Sequence, residues 1–345
     1  MRIGTAIAKA YSKVANSVIK SLDDRVWRER VAAAKANTDE WTHPLIDNTA
    51  KYQRMGGLAS GQSSFSQRDV QRKKADAEFD LAVAVIKQLN QLKLIVGVQP
   101  ITGPVGLTYR IACSAPQDGR LELKVLSSPT EAKTRKLQAR WSIEAVQDAL
   151  AMHAVELEQE ITQAVSSVVA QELVFDVLSA LVALTKPKKL RLGKADSAAD
   201  KLAVQINTCL NDIGAATRRG VGNFVVLSPK TLERLAPSQL FNLAGNANDK
   251  NVLKLVGTLN NGMTNVYEAE GFEDDLLLIG YKGPTETDAG YVYAPYLPLL
   301  TNGPVLDPLT FQPTMTLMTR YGANVAESTD ELVGSASYYQ ALKLV

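Results

Sequence analysis

The chain has 345 residues, of which 46% are apolar, and its net charge is only +2 at pH 7. That length allows a sizeable core and suggests about two or three structural lobes. The cysteines Cys113 and Cys209 lie far apart and form no CxxC pair, so neither a disulfide framework nor a zinc site is indicated. The N-terminus lacks the pattern of a secretory signal, and no apolar run approaches the roughly 18–20 residues of a membrane span. We therefore expect a soluble protein of a reducing cytoplasm.

The charges are distributed unevenly along the chain. Residues 1–96 carry 16 basic and 10 acidic side chains, and residues 108–141 carry 7 basic and 3 acidic ones. Residues 142–185 carry 7 acidic side chains and no basic one. Two basic segments therefore flank one acidic segment, a pattern that suits a protein laying basic arms over acidic neighbours.

Residues 1–96 are predicted to form two helices joined by a hinge. Apolar residues recur at helical spacing over 3–26, with lysines on the opposite face. Such a helix could lie on a membrane surface, but we favour packing against another protein surface. The small, polar segment 56–67 is typical of a linker, and a second helix is predicted at 68–92. Because these helices have little core of their own, we interpret the segment as an arm.

Glycine and proline break the next stretch, "KLIVGVQPITGPVGLTYRI" (93–111), into short predicted strands. Residues 108–140 then show the hairpin turn signal Asp118-Gly119 and the alternating pattern "RLELKVL" (120–126). Polar side chains predominate between Arg110 and Arg140. We therefore expect 108–140 to project from the body as a polar hairpin.

A long helix is predicted after Trp141. Ser142 suits its N-cap, and Glu144 lies in the first turn, where a carboxylate favours the helix dipole. Apolar residues continue at three- and four-residue steps, and Pro187 marks the end. Because the run is too long for one globular helix, we expect a break near His153 and then a helix at about 155–185.

Helices and strands alternate from Ala195 onward, which predicts a compact α+β lobe. The predicted elements are a helix at 199–217, a strand at 223–229, a helix from 230, and strands at 264–270, 275–283 and 312–327.

The sequence shows no intact enzyme site. His43, in a turn beside a proline, and His153, within a helix, have no partner at metal-ligand spacing. "RRGVGNF" (218–224) lacks a third glycine and precedes a strand, so it is not a dinucleotide loop. The acidic trio at 273–275 is more typical of a solvated lead-in to a strand than of a two-metal site. Lys282 lacks the spacing of a phosphate loop. We predict no catalytic residue, metal or cofactor.

The stretch "GYKGPTETDAGYVYAPYLPLL" (280–300) and the following "DPLTFQPTMTLMTRYG" (307–322) carry a specific resemblance. They resemble the C-terminal signature of the major capsid proteins of T-even-type tailed bacteriophages, with GYKG, DAG, YAPY, FQP and TRYG in this order. Blocks at 96–109, 137–160 and 220–229 resemble the family in the same order. The signature residues are Gly280, Tyr281, Lys282, Gly283, Asp288, Tyr293, Pro295, Tyr296, Arg320, Tyr321 and Gly322.

The resemblance implies an α+β protein with the Hong Kong 97-type capsid fold. Its parts are expected as an N-terminal helical arm at 1–96, an extended loop at 108–140, a peripheral domain with a long spine helix at 97–107, 141–188 and 300–345, and an axial domain at 189–299.

The function that this family implies is structural. Subunits would self-assemble into the pentamers and hexamers of an icosahedral head, which encloses double-stranded DNA without sequence-specific contact. The protein would be assembled in the bacterial cytoplasm and reside in the virion. Vertex, portal, scaffold or decoration proteins are further candidate partners, and no membrane is expected.

The charge pattern then suggests how subunits meet. We expect the basic hairpin and arm to lie over the acidic spine region of adjacent subunits. The candidate contact residues are Arg110, Arg120, Lys124, Lys133, Arg135, Lys136, Glu156, Glu158 and Glu160. The tyrosines and prolines of 280–300 are also expected to suit sheet edges and subunit interfaces, because they give rigid contact area at small entropic cost.

The sequence departs from the T-even pattern in two ways. The extended loop is too short to hold the inserted domain of those relatives. Their prohead protease cuts after a glutamate that has Ile or Leu two residues before it. None of Glu29, Glu40 and Glu78 has such a neighbour, so we predict an uncleaved arm.

Three other interpretations remain open at this stage. An encapsulin-like shell would share the fold but enclose protein cargo. A cytosolic enzyme would need a titratable cluster in a pocket, for which the acidic trio at 273–275 is the candidate. A membrane-surface protein would use the first helix.

Overall fold

The computed structural model describes residues 24–58, 79–113, 123–144, 157–191, 198–244, 252–307, 310, 312–325 and 334–344. Its α-helices are α1 (24–36), α2 (His43–Leu58), α3 (79–89), α4 (Leu157–Leu184), α5 (Ala198–Thr217) and α6 (Pro229–Leu235). Short 3-10 helices lie at Glu40–Thr42, Asn90–Leu94 and Ser335–Tyr338. The strands are β1 (Gly97–Val98), β2 (Val105–Cys113), β3 (Leu123–Glu131), β4 (Lys133–Arg140), β5 (Lys188–Leu190), β6 (Phe224–Leu227), β7 (Phe241–Leu243), β8 (Leu253–Leu259), β9 (Thr264–Ala269), β10 (Leu276–Gly280), β11 (Tyr291–Leu306), β12 (Pro313–Val325) and β13 (Tyr339–Leu344).

The strands form two main sheets and one separate hairpin. A four-stranded sheet has the order β1-β11-β12-β4, and a seven-stranded sheet has the order β5-β13-β10-β6-β9-β8-β7. The β6/β9 and β5/β13 pairs of the larger sheet are parallel, and its other pairs are antiparallel. Together with the helices, this arrangement confirms the α+β class, and the helices and strands predicted from 198 onward are found.

The long helix α4 lies against both sheets. Its buried residues recur at three- and four-residue steps, which places them on one face. They are Val169, Ala170, Leu173, Val174, Val177, Leu178 and Leu181. Most of them share one core cluster with α3 and with residues of both sheets. The predicted spine helix is therefore present, and it ends before Pro187 as expected. The predicted break near His153 lies outside the described residues.

One expectation about hydropathy is wrong. The window Ser167–Leu184 of α4 has a mean hydropathy of 1.8 and is long and apolar enough to cross a membrane by length and composition. The isolated polar residues at 171, 172 and 176 do not lower its average sufficiently. In the structure, 39% of this window is buried inside the chain.

The N-terminal helices have a core of their own, which corrects the interpretation of this segment as an arm without one. Leu45, Ile46, Phe79 and Ile86 form a buried cluster, and Trp27 packs its ring 5.2 Å from that of Phe79. The sequence patterns missed α2, which lies between the two predicted helices. The prediction of a turn at His43 is also wrong, because this residue opens α2. The first predicted helix lies largely outside the described residues.

The segment 108–140 is not a single projecting hairpin. Strands β2 and β3 pair antiparallel from Val105 to Cys113, as predicted for a hairpin, and the Asp118-Gly119 turn between them lies outside the described residues. Strand β4, however, pairs with β12 from Lys133 to Arg140 and thus belongs to the four-stranded sheet. The hairpin therefore ends near residue 131, because the exposed, mostly polar β4 completes an edge of the body.

At the C-terminal end the sheets join residues that the predicted domain boundaries separate. Strand β13 was expected in the peripheral domain, but it pairs with β10 and β5 in the seven-stranded sheet. The first half of β11 was expected in the axial domain, but it pairs with β12 and β1 in the four-stranded sheet. The chain thus crosses between the two sheets at 281–290 and again before β13.

Candidate functional site

The signature loop 281–290 lies where the chain passes from the seven-stranded sheet to the four-stranded one. It follows β10 and leads into β11. The side chain of Asn223 binds the loop on both sides of one residue. Its Nδ2 donates to the Lys282 carbonyl at 2.7 Å, and its Oδ1 accepts from the Lys282 amide at 3.0 Å. The Asn223 side chain thus makes the two backbone hydrogen bonds that a neighbouring strand would otherwise make with Lys282.

A buried ion pair secures the same loop. Arg219 Nη1 lies 2.9 Å from Asp288 Oδ2, and only 13% and 9% of the two side chains are exposed. The Asp288 amide donates to the Thr285 carbonyl, and the Asp288 carbonyl accepts from the Gly283 amide at 2.8 Å. A Cβ atom at Gly283 would lie 2.2 Å from Asp288 Oδ2, so glycine is required by this close approach. The GYKG and DAG blocks therefore form one closed turn.

Glu286 fastens the loop to the four-stranded sheet. Its Oε2 accepts from the Val98 amide at 2.7 Å, and its backbone carbonyl accepts from Gln99 Nε2 at 3.1 Å. A Cβ atom at Gly97 would lie 2.4 Å from the Glu286 carbonyl oxygen. Gln99 also forms hydrogen bonds with the backbone carbonyl and amide of Tyr109 in β2. The loop, β1 and the β2–β3 hairpin are therefore joined.

The tyrosine-rich strand that follows is buried inside the chain. Tyr291, Tyr293 and Tyr296 are 3%, 0% and 2% exposed, respectively. Their strand β11 lies between β1 and β12. The expectation that these tyrosines serve subunit interfaces is therefore wrong: their area is already used within one chain. Pro295 sits beside a register shift of β11, a position that tolerates the missing amide donor.

Helix α2 docks on this strand. Asn48 Nδ2 donates to the carbonyls of both Ile101 and Tyr296 at 3.1 Å, and the Tyr52 and Tyr296 hydroxyls lie 2.5 Å apart. The Arg320 guanidinium lies 5.3 Å from the centre of the Tyr296 ring on the same strand pair. The N-terminal helices are thus attached to the body by these polar contacts and by the apolar packing of α3 against α4 and the sheets.

The TRYG block connects β12 with α4 and the hairpin. The Tyr321 hydroxyl donates to Asp176 Oδ2 of α4 at 2.8 Å, and Arg135 pairs with the same carboxylate. A Cβ atom at Gly322 would lie 2.4 Å from Thr130 Cγ2, so β3 approaches β12 too closely for any side chain there. The signature residues therefore share one property: they hold the parts of a single subunit together.

Burial raises the pKa of several tyrosines in this region. The pKa of Tyr291 is raised to about 12, and those of Tyr293 and Tyr339 lie well above the ordinary range, in each case mainly because burial disfavours the phenolate. The unfolded chain releases these protons near pH 10. The stability that these groups contribute is therefore complete below about pH 10 and is lost as the pH rises through about 12.

We expect alkaline unfolding in that window. Phenolate absorbance should rise together with loss of far-ultraviolet circular dichroism, because the buried tyrosines ionise only when the chain opens. Simultaneous pH titrations of both signals on the unassembled subunit would check this. Full ionisation of all 11 tyrosines with unchanged circular dichroism would contradict the assigned burial.

The structure places seven of the nine predicted contact residues, in three different settings. Arg110 is 5% exposed and donates from Nη1 to Ser335 Oγ at 2.9 Å, so its position inside the subunit corrects its assignment to a subunit contact. Burial lowers its pKa. Lys133, Arg135 and Lys136 lie exposed along β4, but Arg135 pairs with Asp176 of its own chain. Lys124, Glu158 and Glu160 lie on β3 and α4, and Arg120 and Glu156 lie outside the described residues.

The residues that were candidates for a metal site or a phosphate-binding loop form ordinary ion pairs. Glu273, Asp274 and Asp275 pair with Lys343, Lys230 and Arg234, all on the surface. Lys282 Nζ lies 3.6 Å from Glu286 Oε1. Among the described residues, no group of three or more His, Cys, Asp or Glu side chains could hold a metal ion.

Sequence reasoning missed the residues that connect the loop to the rest of the chain. Arg219 and Asn223 belong to "RRGVGNF", whose glycine pattern excludes a dinucleotide loop but indicates no other role. Their adjacency to a buried strand, with two glycines between them, was the available signal. Glu286 and Asn48 gave none, because nothing local in the sequence shows which backbone amides they reach.

This chain is similar to a family of known proteins over most of its length. The family described as "Major capsid protein Gp23" matches residues 117–344, which are 228 of the 345 residues. The chain belongs to this family. It is 30% identical over 244 residues to the major capsid protein of Vibrio phage KVP40, covering 61% of this chain and 46% of that protein. It is 31% identical over 228 residues to the major capsid protein of Enterobacteria phage T4, covering 56% and 43%.

The chain spans about half the length of the curated relatives it matches. Similar solved structures include a virus-like particle from Pyrococcus furiosus, with a TM-score of 0.47, 12% identity and coverage of 76% of this chain and 98% of that one. The capsid of Myoviridae phage XM1 has a TM-score of 0.44, 11% identity and coverage of 75% and 92%. In the present chain the β2–β3 hairpin precedes the long helix α4, and the strands of the seven-stranded sheet follow that helix.

Proposed function

We propose that this chain is a shell-forming subunit of a tailed-phage head and has no catalytic role. The observation that carries the proposal is the match of the major capsid protein family across residues 117–344. In this account identical subunits form pentamers and hexamers of an icosahedral shell around double-stranded DNA. Assembly would take place in the host bacterial cytoplasm, and vertex, portal, scaffold or decoration proteins would complete the head.

The two sheets support a division of the subunit into two domains. We infer that the four-stranded sheet with α4 forms the peripheral domain and that the seven-stranded sheet with α5 and α6 forms the axial domain. The extended loop is then the β2–β3 hairpin, and the helices before β1 form the N-terminal arm. The signature loop 281–290 would keep the two domains in one orientation, because it is bonded to both. A fixed orientation suits a subunit that must repeat identical contacts around a closed shell.

One face of the hairpin supports its role as a contact element. Val105, Leu107, Tyr109 and Val125 are 62%, 57%, 44% and 68% exposed. Alternate residues of β2 share one face, and Thr108 and Arg110 on the other face are buried. An exposed apolar stripe of this kind favours contact with another subunit. We therefore retain the proposal that the hairpin lies over the acidic helix α4 of a neighbour.

Charge reversal tests this contact. We expect Arg120→Glu with Lys124→Glu to lower the yield of closed particles strongly, because like charges would face Glu158 and Glu160 of the neighbour. Glu158→Lys with Glu160→Lys in the same chain should restore part of the yield. Sedimentation and electron microscopy of co-expressed assemblies would measure it. Lys201→Glu, an exposed change on α5, is the control and should assemble normally.

If all three variants assemble equally well, the hairpin does not contact the acidic helix. Purified particles also distinguish the alternative shell: nucleic acid inside them supports a phage head, whereas protein cargo supports an encapsulin-like compartment.

A further inference from the structure

A basic run, "KPKKLR" at 186–191, follows α4 directly and is not used by the proposed assembly contacts. Lys186, Lys188, Lys189 and Arg191 are all exposed. They follow a segment, 142–185, that contains no basic residue. The charge therefore changes sign abruptly at the end of the helix, and four cations are presented within six residues.

Strand β5 places these cations at an edge of the seven-stranded sheet. It pairs with β13 on one side only. Lys188 lies on the α5 face, where it binds Asp212 Oδ2 and Gln340 Oε1, both at 3.1 Å. Lys189 lies on the opposite face beside Lys343, its partner in the strand register. Lys188 is therefore engaged within the fold.

The other three cations are differently placed. Lys186, Lys189 and Arg191 form no ion pair with any described residue. Nearby Glu273 and Asp275 are already paired with Lys343 and Arg234. The run thus carries a local excess of positive charge that the described part of the subunit does not neutralise.

We propose that this basic edge, formed by Lys186, Lys189 and Arg191, contacts the phosphate backbone of double-stranded DNA without reading its sequence. Clustered Lys and Arg side chains release the counterions of a polyanion on binding. Protein–protein interface cores are depleted in lysine and enriched in aromatic residues, and this run contains no aromatic side chain. The chemistry of the edge therefore suits nucleic acid better than a second protein surface.

This inference rests on the proposed function, because a phage head is what brings the subunit next to DNA. The test uses the full chain, unassembled, with random-sequence duplex DNA as the probe. Fluorescence anisotropy at several salt concentrations would compare the unaltered protein with Lys186→Gln/Lys189→Gln/Arg191→Gln. A matched control is Lys133→Gln/Lys136→Gln/Arg140→Gln, three exposed cations on the other basic edge strand, β4. Thermal melting establishes that both variants fold.

We expect the β5 variant to reduce the slope of log affinity against log salt by about 3, at roughly 0.9 for each phosphate contact. The β4 control should keep the slope and instead weaken particle assembly. An unchanged slope in the β5 variant, or no salt-dependent binding by the unaltered protein, would overturn the inference. Loss of assembly in the β5 variant with unchanged DNA binding would also overturn it, and would assign the run to a second copy. If the β5 variant lowers the salt slope as expected but the unaltered protein forms no shell, only the proposed function is contradicted.

Discussion

Replacing Asp288 with alanine is expected to lower the free energy of unfolding by about 3–5 kcal/mol, the cost of breaking a buried ion pair by removing one partner. Asp288 as a whole residue is 6% exposed. In the variant, Arg219 would keep its charge in the same enclosed position. Urea denaturation of the unassembled subunit measures the change, with an unchanged dependence on urea concentration as the sign of a purely energetic effect.

A matched surface pair provides the control for this prediction. Lys230 Nζ lies 2.6 Å from Asp274 Oδ2, with 69% and 48% of the two side chains exposed. Lys230→Ala should cost far less than Asp288→Ala, because water screens and replaces an exposed pair. Replacing both buried partners, Arg219→Met with Asp288→Leu, should recover part of the loss. Equal losses for Asp288→Ala and Lys230→Ala would show that the loop is not held as described.

Tyr339→Ala is expected to cost about 3–5 kcal/mol, since it removes a large, fully buried side chain and leaves a cavity. Tyr339 is 1% exposed, its ring centre lies 6.3 Å from that of Phe224, and its hydroxyl accepts from the Tyr291 amide at 3.1 Å. Denaturant titration again supplies the measurement.

Two further variants separate packing from hydrogen bonding at this position. Tyr339→Phe keeps the ring but leaves the Tyr291 amide without its acceptor, so about 1–3 kcal/mol should be lost. Tyr109→Ala, on the exposed face of the hairpin, should change stability by no more than about 0.5 kcal/mol. A Tyr339→Phe variant as unstable as Tyr339→Ala would mean that the hydrogen bond, not the ring, dominates.

The sequence predicted elements well where one local signal dominated. The periodic apolar stripe and Pro187 located α4, and the short apolar runs located β6, β9 and β10. Helix α2 was missed because "THPLIDNTAKYQ" carries a proline and few apolar residues. Its stability comes from Leu45 and Ile46, which cluster with the distant Phe79, and from the hydrogen bond that Asn48 donates to the Tyr296 carbonyl of β11.

The site was harder to predict because its residues act across long sequence separations. The signature tyrosines gave the family but not their role, since an aromatic strand suits a buried centre as well as an interface. Strand β4 was assigned to a projecting loop because its side chains are polar, yet its backbone completes the sheet beside β12. Backbone pairing of this kind leaves little trace in side-chain composition.

These contacts give the fold a consistent physical interpretation. The residues that identify the family hold one subunit together, whereas the exposed hairpin face and the basic edges are the surfaces proposed to contact neighbours or DNA. Variants in the first set should lower subunit stability before assembly begins. Variants in the second set should leave the subunit stable and change what it binds.

Electron microscopy of the full chain, purified from its native source or from a co-expressed assembly, tests the central claim most directly. We expect closed icosahedral particles, or rings of five and six subunits. A uniform small oligomer that forms neither rings nor shells at any salt concentration would contradict it.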